Sequence, residues 1–512
     1  MDPKPNALSN PLRGRLPLRL LASALAGALA APAVPAHDWP SPASPPSRAL
    51  PPPAPAQPEP WPGLIWPGLQ AGMPPAPTAA DCKRPPERFV LSDRSAGAQS
   101  AVAAADDVEH PADERMRSWR PGAAAAGAAL SAAPALARES RVAEAVAAPP
   151  AAPMVAPAPA DKAAPSRRAA TEPVTAGVVD DNADFGAFGE FLRRHAQVPQ
   201  RPWHIDQRVR LDVRDARGRP VPDAHVEVFS RGVPQALVAR TDARGLAWLM
   251  PQADVAGSVF EVRVSHGRNA QTVRWQRGQR DALQVRLDSA APARARLDLV
   301  FAIDATGSMA DEIAKLKHSM REVADRIAAL PQAPDLCFGL VAYRDRGDAF
   351  FVRGADLTHD LGAFQAELAA LQAGGGGDYP EAMAEALHTA VHRLAWRGEG
   401  TARLVVLLAD APPQRRAAGP HIDHEARAAL ARGIKIVSVG ASGLDREGEL
   451  AMRLAAQATG GRFVFLTYAN RHDPSSGPGR ETVHDVRDYS VETLDKLIVR
   501  LVSEELAGWP AP

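Results

Sequence analysis

The stretch DATGSM, residues 304 to 309, places a carboxylate at Asp304 and hydroxyls at Thr306 and Ser308 on alternate positions, directly after the apolar run LDLVFAI. A turn at that point can aim all three oxygens at one spot. Two further acids stand at comparable places: Asp410 ends the run LVVLLAD, and Asp378 follows the tetraglycine of GGGGDYPEA, just ahead of Pro380. Glycines let the backbone approach closely and a proline starts the next helix, so the Asp378 side chain is expected to point back toward the strand ends and to touch, or nearly touch, a bound ion. A set of carboxylate and hydroxyl oxygens suits a hard cation, above all Mg²⁺, which takes oxygen ligands at about 2.0–2.1 Å with few protein carboxylates. Mn²⁺ and Ca²⁺ are left open by the same donor set. The competing explanation of DATGSM is a plain helix start, because acids and hydroxyls cap helices and Asp311 and Glu312 suit the positive end of the dipole. Capping does not account for the two distant acids, so metal binding is the expectation.

Other constellations are weaker. HIDHEARAA holds His421, Asp423, His424 and Glu425, but a zinc-protease helix needs a second histidine four residues after His424, where Ala428 stands. Ser308 lacks the G-x-S-x-G elbow of a nucleophile. Arg344 and Asp345, in AYRDRGD, follow another strand end, and Asp345 and His421 are candidates for contacts around the ion. His421 is also the one tempting general base if the site were a metal-assisted hydrolase.

The elements that must position these residues lie in the last two fifths of the chain. The runs LDLVFAI, CFGLVAY, LVVLLA, IKIVSVG and RFVFL alternate with helical patterns such as Ile313, Leu316, Met320, Val323 and Ile327. Strands apolar on both faces and separated by helices specify an α/β fold, a doubly wound and mainly parallel sheet, over residues 296–506. Ser490 reads as the cap of its last helix. Ahead of it, period-two alternation at Val209, Leu211 and Val213, at Val226 and Val228, at Phe260, Val262 and Val264, at Val273 and Trp275, and at Leu283, Val285 and Leu287 predicts an all-β sandwich over 203–289. A short amphipathic helix with Phe188, Phe191 and Leu192 on one side is expected within 184–202, capping the strands that come after it in the chain.

Residues 37–183 are rich in Pro and Ala and lack sustained periodicity, which predicts a disordered stalk open to proteases, with Trp61, Trp66 and Trp119 scattered through it. Residues 1–36 read as an export signal: Arg13, Arg15 and Arg19 precede an apolar stretch too short and too broken by proline to span a bilayer, with cleavage expected after Ala36. No later run is long enough for a transmembrane helix, so a periplasmic, surface or secreted location is implied. Basic and acidic residues balance at 59 each, and that offers no field for nucleic acid. Cys82 and Cys337 are poor disulfide candidates on sequence grounds, Cys337 reading as a buried apolar residue and Cys82 as an unpaired thiol able to cross-link between molecules.

Taken in order, DATGSM, GLVAYRDRGD, the glycine loop with DYPEAMAEAL, and LLADAPP resemble the von Willebrand factor type A domain and its metal-ion-dependent adhesion site, especially the DxTGSM subgroup that includes hemicentin-like and alpha-kinase-associated domains. The resemblance implies that Asp304, Thr306, Ser308 and Asp410 hold the ion. Thr306 replaces the usual serine, and Asp378 stands about where the family has a threonine. The implied function is non-enzymatic: an adhesion-type module that captures a partner protein's Asp or Glu on the metal. An extra carboxylate would strengthen metal retention and weaken that pull. An envelope assembly module that does not use the metal is the alternative. The phrases DARGRPVPDAHVEVF and ARTDARGLAWLMP resemble Ig-like or carboxypeptidase-regulatory-like sandwiches, which implies a spacer or adhesive module.

Overall fold

A computed structural model describes residues 76–93, 172–198, 207–250, 257–289, 294–377, 379–398, 400–416 and 419–509. In chain order the elements are β1 (Arg88–Leu91), β2 (Thr175–Val179), α1 (Phe185–Arg194), β3 (Val209–Arg214), β4 (His225–Ser230), β5 (Val233–Arg240), β6 (Leu246–Leu249), β7 (Val259–His266), β8 (Asn269–Gln276) and β9 (Leu283–Arg286). After these come β10 (Arg296–Asp304), α2 (Ala310–Ala328), β11 (Asp335–Tyr343), β12 (Val352–Thr358), α3 (Leu361–Ala369), α4 (Met383–His392), β13 (Ala402–Ala409), α5 (Ile422–Ala431), β14 (Ile434–Gly440) and α6 (Arg446–Ala458). The chain closes with β15 (Phe463–Asn470), β16 (Asp473–Pro478), β17 (Glu492–Thr493) and α7 (Leu494–Leu506). Among the described residues no helix is long and apolar enough to cross a membrane.

The five apolar runs become β11, β10, β13, β14 and β15, adjacent in that order and parallel throughout. Every residue of β13 and β14 is buried, because helices cover both faces and neither can alternate toward water. Ile313, Leu316, Met320, Val323 and Ile327 of α2 all join the core on one face, as their spacing requires. Residues 209–286 supply two further sheets, β6-β3-β9 and β5-β4-β7-β8, whose inward side chains share one core around Phe260 and Trp275. That core is completed by Leu430 of α5. The contact is pinned by polar groups: Arg403 Nη1 lies 3.0 Å from Asp223 Oδ1, and Lys435 Nζ lies 2.6 Å from Asp242 Oδ2.

Several expectations are corrected. Residues 76–93 and 172–183 fall in the stretch read as a disordered stalk, yet β1 pairs antiparallel with β12, and β2 pairs antiparallel with both β15 and β17. Four or five residues such as RFVL or TAGVV carry too little periodicity to stand out from a Pro/Ala-rich background. Their partners are open sheet edges more than 250 residues away, which gain backbone hydrogen bonds when covered. The helix at 185–194 packs Phe188 and Phe191 on Leu450 and Leu454 of α6, so it docks on the parallel-sheet region. Asp184 caps it, accepting from Ala187 N at 3.0 Å. The last helix is preceded by Thr493, not Ser490, because Glu492 and Thr493 first pair with β2. The signal segment, its cleavage point, Trp61, Trp66, Trp119 and residues 94–171 lie outside the described residues.

The cysteines are corrected as well. Cys82 and Cys337 form a disulfide, with Cα atoms 6.2 Å apart. β1 pairing carries the preceding residues over β11, and Lys83 N donates to Leu357 O at 2.9 Å, so the two sulfurs meet in one apolar cluster. Sequence distance hid this, since neither cysteine has a local partner. Peptide mapping without reductant is expected to recover Cys82 and Cys337 in one linked species, with neither thiol alkylated before reduction. Labelling of either in the native protein would show the bond absent.

Candidate metal centre

Sheet register brings the acids together. β10 and β13 run parallel with Ile303 opposite Leu408, so Asp304 and the Asp410 that comes after Ala409 emerge from neighbouring strands at the same edge. This is the carboxyl edge, where ligand sites form in open α/β sheets. On the other side Asp304 pairs with Tyr343, the last residue of β11, and Arg344 and Asp345 come next.

The turn after Asp304 is tightly held. Asp304 Oδ1 accepts from Thr306 N at 3.0 Å and from Thr306 Oγ1 at 2.7 Å, and Thr306 Oγ1 lies 3.0 Å from Ser308 Oγ. Gly307–Met309 form one 3-10 turn leading into α2. The glycine loop lies against this turn: Gly374 N donates to Ala305 O at 3.0 Å, and Gly307 N to Gly375 O at 3.1 Å. Gly375 has φ +75°, and a Cβ there would stand 2.2 Å from Asp348 Oδ2, so both backbone sign and space require glycine. Asp304 and Thr306 are buried, whereas Ser308 is exposed and forms the mouth.

Asp378 lies outside the described residues. Among the described residues, the carboxyl group that this loop brings to the site is that of Glu381, just after the proline taken to start the next helix. Its backbone is clamped to the segment after Asp410: Glu381 N donates to Pro412 O, and Gln414 N donates to Glu381 O, both at 2.9 Å. Its side chain is buried, with Oε1 3.3 Å from where a Cβ on Gly376 would stand; that same Cβ would be 3.3 Å from Thr306 Cβ. The signal was an acid directly after the proline of DYPEA, indistinguishable by type from an ordinary first-turn acid.

Three oxygens on three separate segments are buried without a hydrogen-bond partner: Asp304 Oδ2, Asp410 Oδ1 and Glu381 Oε2. Burial, and then the charge of Asp410, pushes Asp304 up to about 8. Burial raises Asp410 too, and burial together with Asp304, Asp345, Asp410 and Asp348 pushes Glu381 up to about 9. Glu312 is raised by its burial, while Tyr468 and Ser442 donate to it. Carboxyl groups in this density and burial hold either protons or a cation.

Asp345 joins the rim. Its Oδ2 is 3.4 Å from where a Cβ on Gly377 would stand, and Arg346 N donates to its Oδ1 at 2.6 Å. His421 precedes α5 as its N-cap residue, with its ring edge-on to that of His424 at 5.7 Å between centroids. The carboxylate and hydroxyl donors fit a hard divalent ion, and the orphaned oxygens are what such an ion would satisfy.

Residues 298–427 match the family described as von Willebrand factor A domain. No curated protein matches the chain. Among solved structures, proximal thread matrix protein 1 from the mussel byssus is similar in two crystal forms, each at 16% identity. One has a TM-score of 0.26 and covers 33% of this chain and 41% of its own; the other has 0.25, 34% and 42%. The chain thus spans less than half the length of the mussel protein, and the likeness is too slight to bear on function. The family match runs from within β10 through the turn, the glycine loop and Asp410 into α5, and on that ground the chain contains a von Willebrand factor A domain over these residues.

Proposed function

We propose that the protein is an exported, metal-dependent protein-binding module in which Asp304, Thr306, Ser308 and Asp410, with Glu381 beside them, hold Mg²⁺ at the sheet edge. Von Willebrand factor A domains are generally protein-interaction modules, often metal-dependent. The observation that carries the reading is that three buried carboxyl groups from three segments, each with an oxygen lacking a hydrogen-bond partner, lie near enough for Asp410 to raise Asp304 and for both to raise Glu381. A bound ion would supply one coordination position that a partner's Asp or Glu can fill. The chain's own work is to hold the oxygens in place: Thr306 fixes one Asp304 oxygen, and the glycine loop braces the turn. The Cys82–Cys337 disulfide supports an oxidising, exported setting. The seven strands of residues 209–286 fit an Ig-like spacer.

Calorimetric titration of the full chain with Mg²⁺ is expected to show one saturable site, weakened at least about tenfold in Asp410→Ala. No binding of Mg²⁺, Mn²⁺ or Ca²⁺ would overturn the reading. Partner capture that is equal with and without EDTA would favour the assembly role instead.

A further inference from the structure

A second, chemically different cluster lies along α4. His388 and His392 are four residues apart and therefore leave one face of the helix, with ring centroids 4.4 Å apart. α5 brings Glu425 against them: His388 Nδ1 stands 3.0 Å from Glu425 Oε1, and His392 Nε2 stands 2.9 Å from Glu425 Oε2. One ligand atom from each of the three lies within 4.8 Å of the others. His388 and Glu425 are buried, while the His392 side chain keeps 21% of its surface. Both imidazoles also wall a cavity of about 280 Å³, together with Lys83, Glu87, Asp356 and Arg393.

We propose that His388, His392 and Glu425 bind a zinc-class divalent ion through two imidazole nitrogens and one carboxylate, with a further coordination position toward this cavity. Two nitrogens and an oxygen suit Zn²⁺ and disfavour Mg²⁺, so the site is selective against the ion of the all-oxygen turn. Tetrahedral ligands at about 2.0–2.1 Å from zinc stand roughly 3.4 Å from one another; each imidazole nitrogen already lies about that far from one of the two Glu425 oxygens, and side-chain rotation can bring the three ligand atoms, now within 4.8 Å of one another, around one ion. Without an ion, protons occupy these N···O contacts. Metal entry releases them or moves them to the opposite ring nitrogens, leaving a lone pair on His388 Nδ1 and His392 Nε2. Three protein ligands leave a tetrahedral ion one position short, and the cavity admits water or a small ligand there. Part of its wall, Lys83 and Glu87, belongs to the segment tied down by the disulfide, with Lys83 Nζ 2.8 Å from Asp356 Oδ2.

The test uses Co²⁺ as a visible probe. EDTA-stripped full chain in saturating Mg²⁺ is titrated with Co²⁺ alone, then with Zn²⁺. The expected result is one equivalent of a visible ligand-field band, abolished by Zn²⁺, weakened at least about tenfold in His392→Ala and in Glu425→Gln, and unchanged in Asp304→Asn. His392 closes the helix and is partly exposed, and Glu425→Gln keeps the size and one acceptor, so circular dichroism is expected to show both folded. Absence of the band in the natural chain, its persistence in both folded variants, or its loss in Asp304→Asn would each overturn the proposal.

Discussion

Asp304→Asn is expected to raise the melting temperature of the EDTA-treated protein at pH 8 and to remove all stabilisation by Mg²⁺. The side chain is wholly buried, and its Oδ2 has no partner. Burial and the neighbouring Asp410 raise its pKa to about 8, above the unfolded value of about 3.9. A carboxyl shifted in that direction contributes stability that is fully present below about pH 3.9 and is lost as pH rises through the folded value. Asparagine carries no such penalty. It retains the oxygen that accepts from Thr306 N and Thr306 Oγ1. Each kcal/mol recovered corresponds to about 2–4 °C for a domain of roughly this size. In the natural chain, Mg²⁺ at one hundred times its dissociation constant adds about 2.7 kcal/mol, and in the variant it adds nothing. Thermal melts from pH 4 to 8 with EDTA or Mg²⁺ check both halves, the variant's advantage shrinking toward pH 4. A variant that melts lower in EDTA yet still responds to Mg²⁺ would make Asp304 a turn cap and nothing more.

The largest loss of stability is expected from Asp298→Ala, at the opposite end of β10. Asp298 and Arg397 are both fully buried. Arg397 Nε donates to Asp298 Oδ1 at 2.6 Å and Arg397 N to Oδ2 at 2.8 Å, while Nη2 reaches Leu297 O and Asp335 O. Removing the carboxylate leaves a buried guanidinium charge with two backbone carbonyls and the partly exposed carboxylate of Asp335, 3.0 Å from Nη1, to offset it. Breaking one partner of such a pair costs about 3–5 kcal/mol. Urea denaturation should show that loss, and Asp298→Leu combined with Arg397→Met should recover much of it, because the cost lies in the stranded charge. A single-variant loss below about 1 kcal/mol would mean that water reaches Arg397.

Sequence alone determined the elements whose information is local. Runs of apolar residues in LVVLLA and IKIVSVG can only be strands covered on both faces, and the spacing from Ile313 to Ile327 can only present one helical stripe. Oxygens on alternate residues of DATGSM could be read as convergent because a single turn after a strand places them. What remained illegible depended on partners distant in the chain. RFVL and TAGVV are strands because sheet edges elsewhere accept them, and Cys82 meets Cys337 through the first of those pairings. Asp298 sat unremarked in an apolar run because its partner, Arg397, lies 99 residues on. Glu381 has the residue type of any first-turn acid, and only the tertiary pairing of its backbone with Pro412 and Gln414 turns its carboxyl into the site. Period and residue type are written along the chain, but the burial that strips a carboxylate of water is set by what the fold brings across from elsewhere.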